Sequence, residues 1–117
     1  MNRLSLLCLP LLLTACQQAP ALSPGASPLA VQGRAVAQAT CSSCHAIEAG
    51  RSSYSEAPSF PVIANQEGVT AETLSVWLKG AHNYPREMDF YLREAQVDAL
   101  VAYMLTLQDP NFRRPPD

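Results

Sequence analysis

A chain of 117 residues with formal net charge -2 and a single tryptophan has room for one small domain. Its hydrophobic fraction of 48% is inflated by a leucine-rich start, so the folded part is poorer in core than that figure suggests. The mildly acidic balance and a single lysine, Lys79, give nucleic-acid binding no support. Four cysteines are present, but Cys8 lies inside the N-terminal leader and Cys16 at its end, which leaves only Cys41 and Cys44 for the fold. A domain this small often needs a staple.

In chain order, Met1 to Arg3 is a short positive start and Leu4 to Leu13 an apolar run broken only by Ser5, Cys8 and Pro10. The run is too short to span a bilayer and has the shape of a signal-peptide core. It ends in Leu13-Thr14-Ala15-Cys16, which resembles the lipobox of bacterial lipoproteins. The expectation is a signal peptide over 1–15 and a lipidated Cys16. An ordinary secretory leader or an uncleaved interfacial helix is the rival reading. Residues 16–30 then read as the lipidated cysteine and a tether rich in Pro, Ala and Ser, with Pro20, Pro24 and Pro28 evenly spaced. Near polyproline geometry it would reach roughly 40 Å from the membrane surface.

A first helix is expected over Val31 to Thr40. Gly33, Ala37 and Cys41 fall at i, i+4 and i+8, a face of small side chains that lets another helix cross closely. The helix leads into Cys41-Ser42-Ser43-Cys44-His45. A Cys-x-x-Cys-His run is the attachment signal of a c-type haem, because two thiols on one turn can each add to a vinyl group. The adjacent His45 then reaches the iron as proximal ligand. A thioredoxin-like pair would want a longer α/β chain. Zinc would want two more ligands, and apart from His82 the domain offers none of the usual Cys/His type. A plain disulfide would leave His45 without a role. The haem reading uses all three residues.

Ala46 to Ala57 reads as loop, and Pro58-Ser59-Phe60-Pro61 cannot be helical throughout. A second helix is expected over Thr70 to Lys79, with Thr70 as N-cap, Val69 and Leu74 as staple, and Gly80 as stop. Leu74, Trp77 and Leu78 share a face. Ala81 to Tyr91 is irregular around Pro85. A last helix runs from about Arg93 to Gln108, with Val97, Leu100, Val101 and Met104 on one stripe. The tail 111–117 reads as loose.

The stretch Val31 to Leu107 resembles a class I monohaem cytochrome c. The resemblance is carried by Cys41 to His45, by Gly33 eight residues before Cys41, and by Asp98-Ala99-Leu100-Val101-Ala102-Tyr103-Met104. It implies an all-α fold over 31–110, with the N- and C-terminal helices crossing around one covalently bound haem c. Gly33, Leu100 and Tyr103 would pack that crossing. Pro58 would supply the carbonyl that accepts from His45 Nδ1, and Trp77 would pack on the haem edge or donate to a propionate. The family places a distal methionine in the loop before the last helix, where Met88 stands. His82 and the helix-borne Met104 are the other side chains that could serve. The function implied is a lipid-anchored electron carrier, not an enzyme, facing the periplasm from the inner or outer membrane of a bacterial envelope. Its partners would be a redox protein as donor and another as acceptor. Gln17 after Cys16 leans toward the outer membrane. An open distal site would instead make it a small-ligand-binding or peroxide-reducing haem protein, and a haem-free thiol–disulfide protein is the third class.

Overall fold

The computed structural model describes residues 25–80, 86–88 and 90–115. Four helices form there, and no strand is found among the described residues: α1 (Pro28–Thr40), α2 (Phe60–Ala64), α3 (Ala71–Gly80) and α4 (Glu94–Leu105). Among the described residues, a 3₁₀ turn, Arg86–Met88, stands between α3 and α4. The architecture is the all-α one expected. None of these helices is long and apolar enough to cross a membrane.

The start of α1 lies three residues earlier than Val31. Ser27 is its N-cap and accepts from the Ala30 N–H at 3.1 Å, while Pro28 takes the first helical position. Proline is well placed there, because its missing N–H would be unsatisfied anyway and its fixed φ suits the helix. Pro28, Leu29 and Ala30 therefore belong to α1, and Ala30 is buried.

The crossing of α1 with α4 is the largest helix–helix contact, and α3 packs on α4 beside it. Ala30, Gly33 and Ala37 are the buried residues of α1. Small side chains on that face let α4 approach with Val97, Leu100, Tyr103 and Met104, all 1% exposed or less. α4 is shorter than expected, ending at Leu105, with Arg93 outside it as N-cap. The last turn tightens into i→i+3 bonds, Thr106 to Tyr103 and Leu107 to Met104, and the Thr106 hydroxyl also donates to the Tyr103 carbonyl at 2.6 Å. Gln108, expected in the helix, instead donates to the carbonyls of Ala64 and Val69, 3.1 Å each. At its N-terminus the Arg93 N–H donates to the Gln96 side chain at 3.1 Å.

α3 starts one residue after Thr70, whose hydroxyl accepts from the Thr73 N–H at 3.3 Å, and it includes Gly80. Leu74 and Leu78 are buried in the core cluster, against which Val69 packs. Trp77 lies at the margin of that face, 41% exposed. α2 is a short helix between a proline-containing turn and the core, set by Pro61 in its first turn and by Phe60 and Ala64, both buried. Asn65, which follows it, donates to the carbonyls of Pro61 at 2.8 Å and Leu107 at 2.9 Å and accepts from the Asp109 N–H at 2.7 Å. The chain after α4 is thereby fastened to the chain after α2. Residues 111–115 beyond it carry no helix.

Candidate haem-binding site

The Cys-x-x-Cys-His segment is the unwinding end of α1. The Ala37 carbonyl accepts from both Cys41 and Ser42, and the Cys41 carbonyl accepts from both Cys44 at 3.1 Å and His45 at 2.9 Å. That tight turn folds Cys44 and His45 back toward Cys41. Ser42 holds the turn from outside, its hydroxyl donating to the Gln38 carbonyl at 2.6 Å.

Cys41, Cys44 and His45 all line one cavity of about 530 Å³, within the roughly 300–1,000 Å³ usual for cofactor sites. Its wall is largely apolar, with Phe60, Ile63, Leu78, Leu92 and Leu100 among the contributors. Pro58, Trp77 and Met88 line it as well, so these expected site residues come together on one cavity. Met104 also lines it while 1% exposed on the buried face of α4. His82 and Cys16 lie outside the described residues.

His45 Nδ1 stands 2.7 Å from the Pro58 carbonyl oxygen. Since that oxygen can only accept, Nδ1 carries the proton, and Nε2 is the nitrogen left with a lone pair for a metal. The loop between them is held at several points. Ala46 O accepts from Phe60 N at 2.8 Å, Tyr54 N donates to Cys44 O at 3.2 Å, and the Ser52 hydroxyl accepts from Ala46 N at 3.0 Å.

Two side chains from distant helices seize the same loop. The Tyr103 hydroxyl donates to the Ile47 carbonyl at 2.8 Å, and Arg34 of α1 pairs with Glu48 at 2.7 Å. Burial, with the nearby Glu48 charge, pushes the Tyr103 phenol up to about 12; Arg34 pulls it the other way. Burial also pushes the Cys41 thiol up to about 11, and the adjacent Cys44 adds to this. Cys41 is therefore a thiol at neutral pH, the opposite of the activated thiolate of a dithiol oxidoreductase. Among the described residues no group of three or more His, Cys, Asp or Glu is placed to hold a metal ion on its own.

These features fit a covalently attached haem: two thiols and one correctly protonated imidazole face a single apolar cavity of suitable size. Tyr54, Glu56 and Phe60 line the cavity too, beyond the residues that the motif and the resemblance point to. For Phe60 a signal exists, since an aromatic stands two residues after Pro58, the expected His45 partner. For Arg34 and Glu48 there was none, because a pair fourteen residues apart has no local pattern.

Residues 28–104, more than half of the chain, match the family described as cytochrome C oxidase, cbb3-type, subunit III. No curated protein and no solved structure matches the chain.

Proposed function

The chain belongs to the family of cbb3-type cytochrome c oxidase subunit III, and from that premise we propose that it is a membrane-anchored electron carrier whose haem iron is held between His45 and Met88. Membership itself implies a c-type cytochrome with one-electron chemistry on a covalently bound haem c. The haem supplies the redox couple when bound, and the chain's residues set where and how it sits. Cys41 and Cys44 would form the two thioethers. His45 would ligate through Nε2, oriented by Pro58. Met88, half-buried on the 3₁₀ turn and lining the same cavity, would supply the second axial ligand.

The observation that carries this reading is the convergence of Cys41, Cys44, His45 and Met88 on one apolar cavity. With His45 and Met88 both holding the iron, no place on the metal would be left for substrate, which favours a carrier over a catalyst. A thioether ligand and a water-poor wall both favour the less charged reduced state and raise the potential. Trp77, partly exposed at the cavity, would cover the haem edge or donate to a propionate. Lipidation at Cys16 would tether the domain at the periplasmic face and raise the effective concentration of its redox partners, among them the other subunits of an oxidase.

The test is the oxidised protein's near-infrared sulfur-to-iron charge-transfer band. We expect it in the wild type and expect Met88→Ala to abolish it and to admit carbon monoxide to the reduced iron. Persistence of the band in Met88→Ala, or a bis-imidazole spectrum in the wild type, would refute the Met88 assignment. An open iron site in the wild type would refute the carrier reading.

A further inference from the structure

We propose that Phe60 and Tyr103 are positioning residues that fix the plane of the His45 imidazole. The inference rests on His45 being the iron's axial ligand. Phe60 meets both of the other rings. His45 and Phe60 have centroids 5.7 Å apart with planes tilted by 56°, and Phe60 and Tyr103 are 6.5 Å apart and tilted by 46°. Phe60 is 4% exposed and Tyr103 0%, so neither ring has water behind it to move into.

The three rings are tied to the main chain on both sides. His45 Nδ1 meets Pro58 O at 2.7 Å, Phe60 N meets Ala46 O at 2.8 Å, and Tyr103 Oη meets Ile47 O at 2.8 Å. A single hydrogen bond at Nδ1 still lets an imidazole rock about the bond direction. Phe60 blocks that motion on one side. Phe60 cannot retreat, because Tyr103 stands behind it and is anchored to the loop that leaves His45. The backbone on the other side of Ile47 is also held, through Glu48 and Arg34 at 2.7 Å. The circuit therefore runs from the ring, through Phe60 and Tyr103, back to the residues next to the ring. Its parts come from the loop, α2 and α4, so the crossing of the helices sets the ligand's orientation.

The orientation of an axial imidazole selects which iron orbital holds the unpaired electron in the oxidised state. A ring held at one angle gives widely spread haem-methyl resonances in proton NMR and well-defined low-spin g-values. A rocking ring averages them. The test uses the oxidised, haem-loaded protein. Phe60→Met keeps volume near the site but removes the ring, and Tyr103→Phe keeps the ring but removes the bond to Ile47. Both should narrow the methyl spread and broaden the g-values, Phe60→Met more than Tyr103→Phe. Val97→Ala is the control: Val97 is fully buried in α4 but does not line the cavity, so it should lower the melting temperature and leave both spectra in place. If either variant fails to load haem, the other still carries the comparison. Unmoved spectra in a loaded variant, or equal changes in Val97→Ala, would overturn the positioning role alone. A wild-type haem without a histidine ligand would overturn the ligation reading, and this proposal with it.

Discussion

Gly33 of α1 lies so close to Ala99 of α4 that a side chain has no space between them. A Cβ at position 33 would overlap the Ala99 carbonyl oxygen and come within 2.7 Å of Tyr103 Cβ. Two opposing effects meet here. Alanine in place of glycine inside a helix is favourable by roughly 0.5–1 kcal/mol. Overpacking against a rigid backbone costs about 1–3 kcal/mol or more. The clash is with main chain, so it wins. Gly33→Ala should lower the denaturant midpoint and the yield of haem-loaded protein. An unchanged midpoint would mean that the helices slide apart at no cost.

Cys41→Ala and Cys44→Ala should each lose a thioether and most of the holoprotein, as read by haem staining of a denaturing gel. Without the ring the cavity of about 530 Å³ must collapse, flood or stay empty. At about 24 cal/mol per Å³, an empty one would cost on the order of 10 kcal/mol, comparable with the whole stability of a small domain. The apoprotein should therefore melt without cooperativity. A sharp melting transition in the apoprotein would contradict this and favour a thiol–disulfide protein.

The two methionines on the cavity should separate by their substitutions. Met104 is packed on the buried face of α4, so Met104→Leu should cost under about 1.5 kcal/mol and leave the near-infrared band in place. His82→Ala should leave the ferric spectrum nearly unchanged. Loss of the band in Met104→Leu would move the distal ligand to α4.

Tyr103 makes a pH prediction. Its phenol is raised in the folded state to about 12, against about 10 when exposed. The folded state thus keeps a proton that the unfolded state gives up. The stabilisation is complete below about pH 10 and is lost as pH rises from about 10 to about 12. Tyr103→Phe should remove this part of the alkaline destabilisation. At neutral pH it should cost about 1–3 kcal/mol, because the buried Ile47 carbonyl loses its donor. Denaturant titrations of both proteins across pH 7 to 12 check the two statements together.

Cys16→Ser should release the protein from membranes or leave it unprocessed, with haem still attached. Each buried methylene of an acyl chain contributes about 0.8 kcal/mol, so two or three chains hold where none would. Wild-type protein that washes off in buffer and carries no N-terminal lipid would refute the anchor.

By itself the sequence determined the chemistry that depends on neighbours along the chain. Cys41, Cys44 and His45 lie within five residues, so one turn at the end of α1 is enough to present them. Gly33 and Ala37 announce a close crossing, and the stripe from Val97 to Met104 announces its partner, because both follow helical periodicity. The limits of the elements were less legible. α2 is hidden by Pro58 before it and Pro61 inside it, although Pro61 can sit in a helix's first turn, and Ser27-Pro28 reads as tether until its cap geometry is seen. Only the tertiary structure decided which distant groups close on the loop after His45. Arg34, Phe60 and Tyr103 reach it across fourteen to fifty-six residues, and the Tyr103 contact exists only once α4 has packed against the chain that follows α1. Spacing along a chain encodes what one turn can present, whereas the angle at which His45 is held depends on packing between helices.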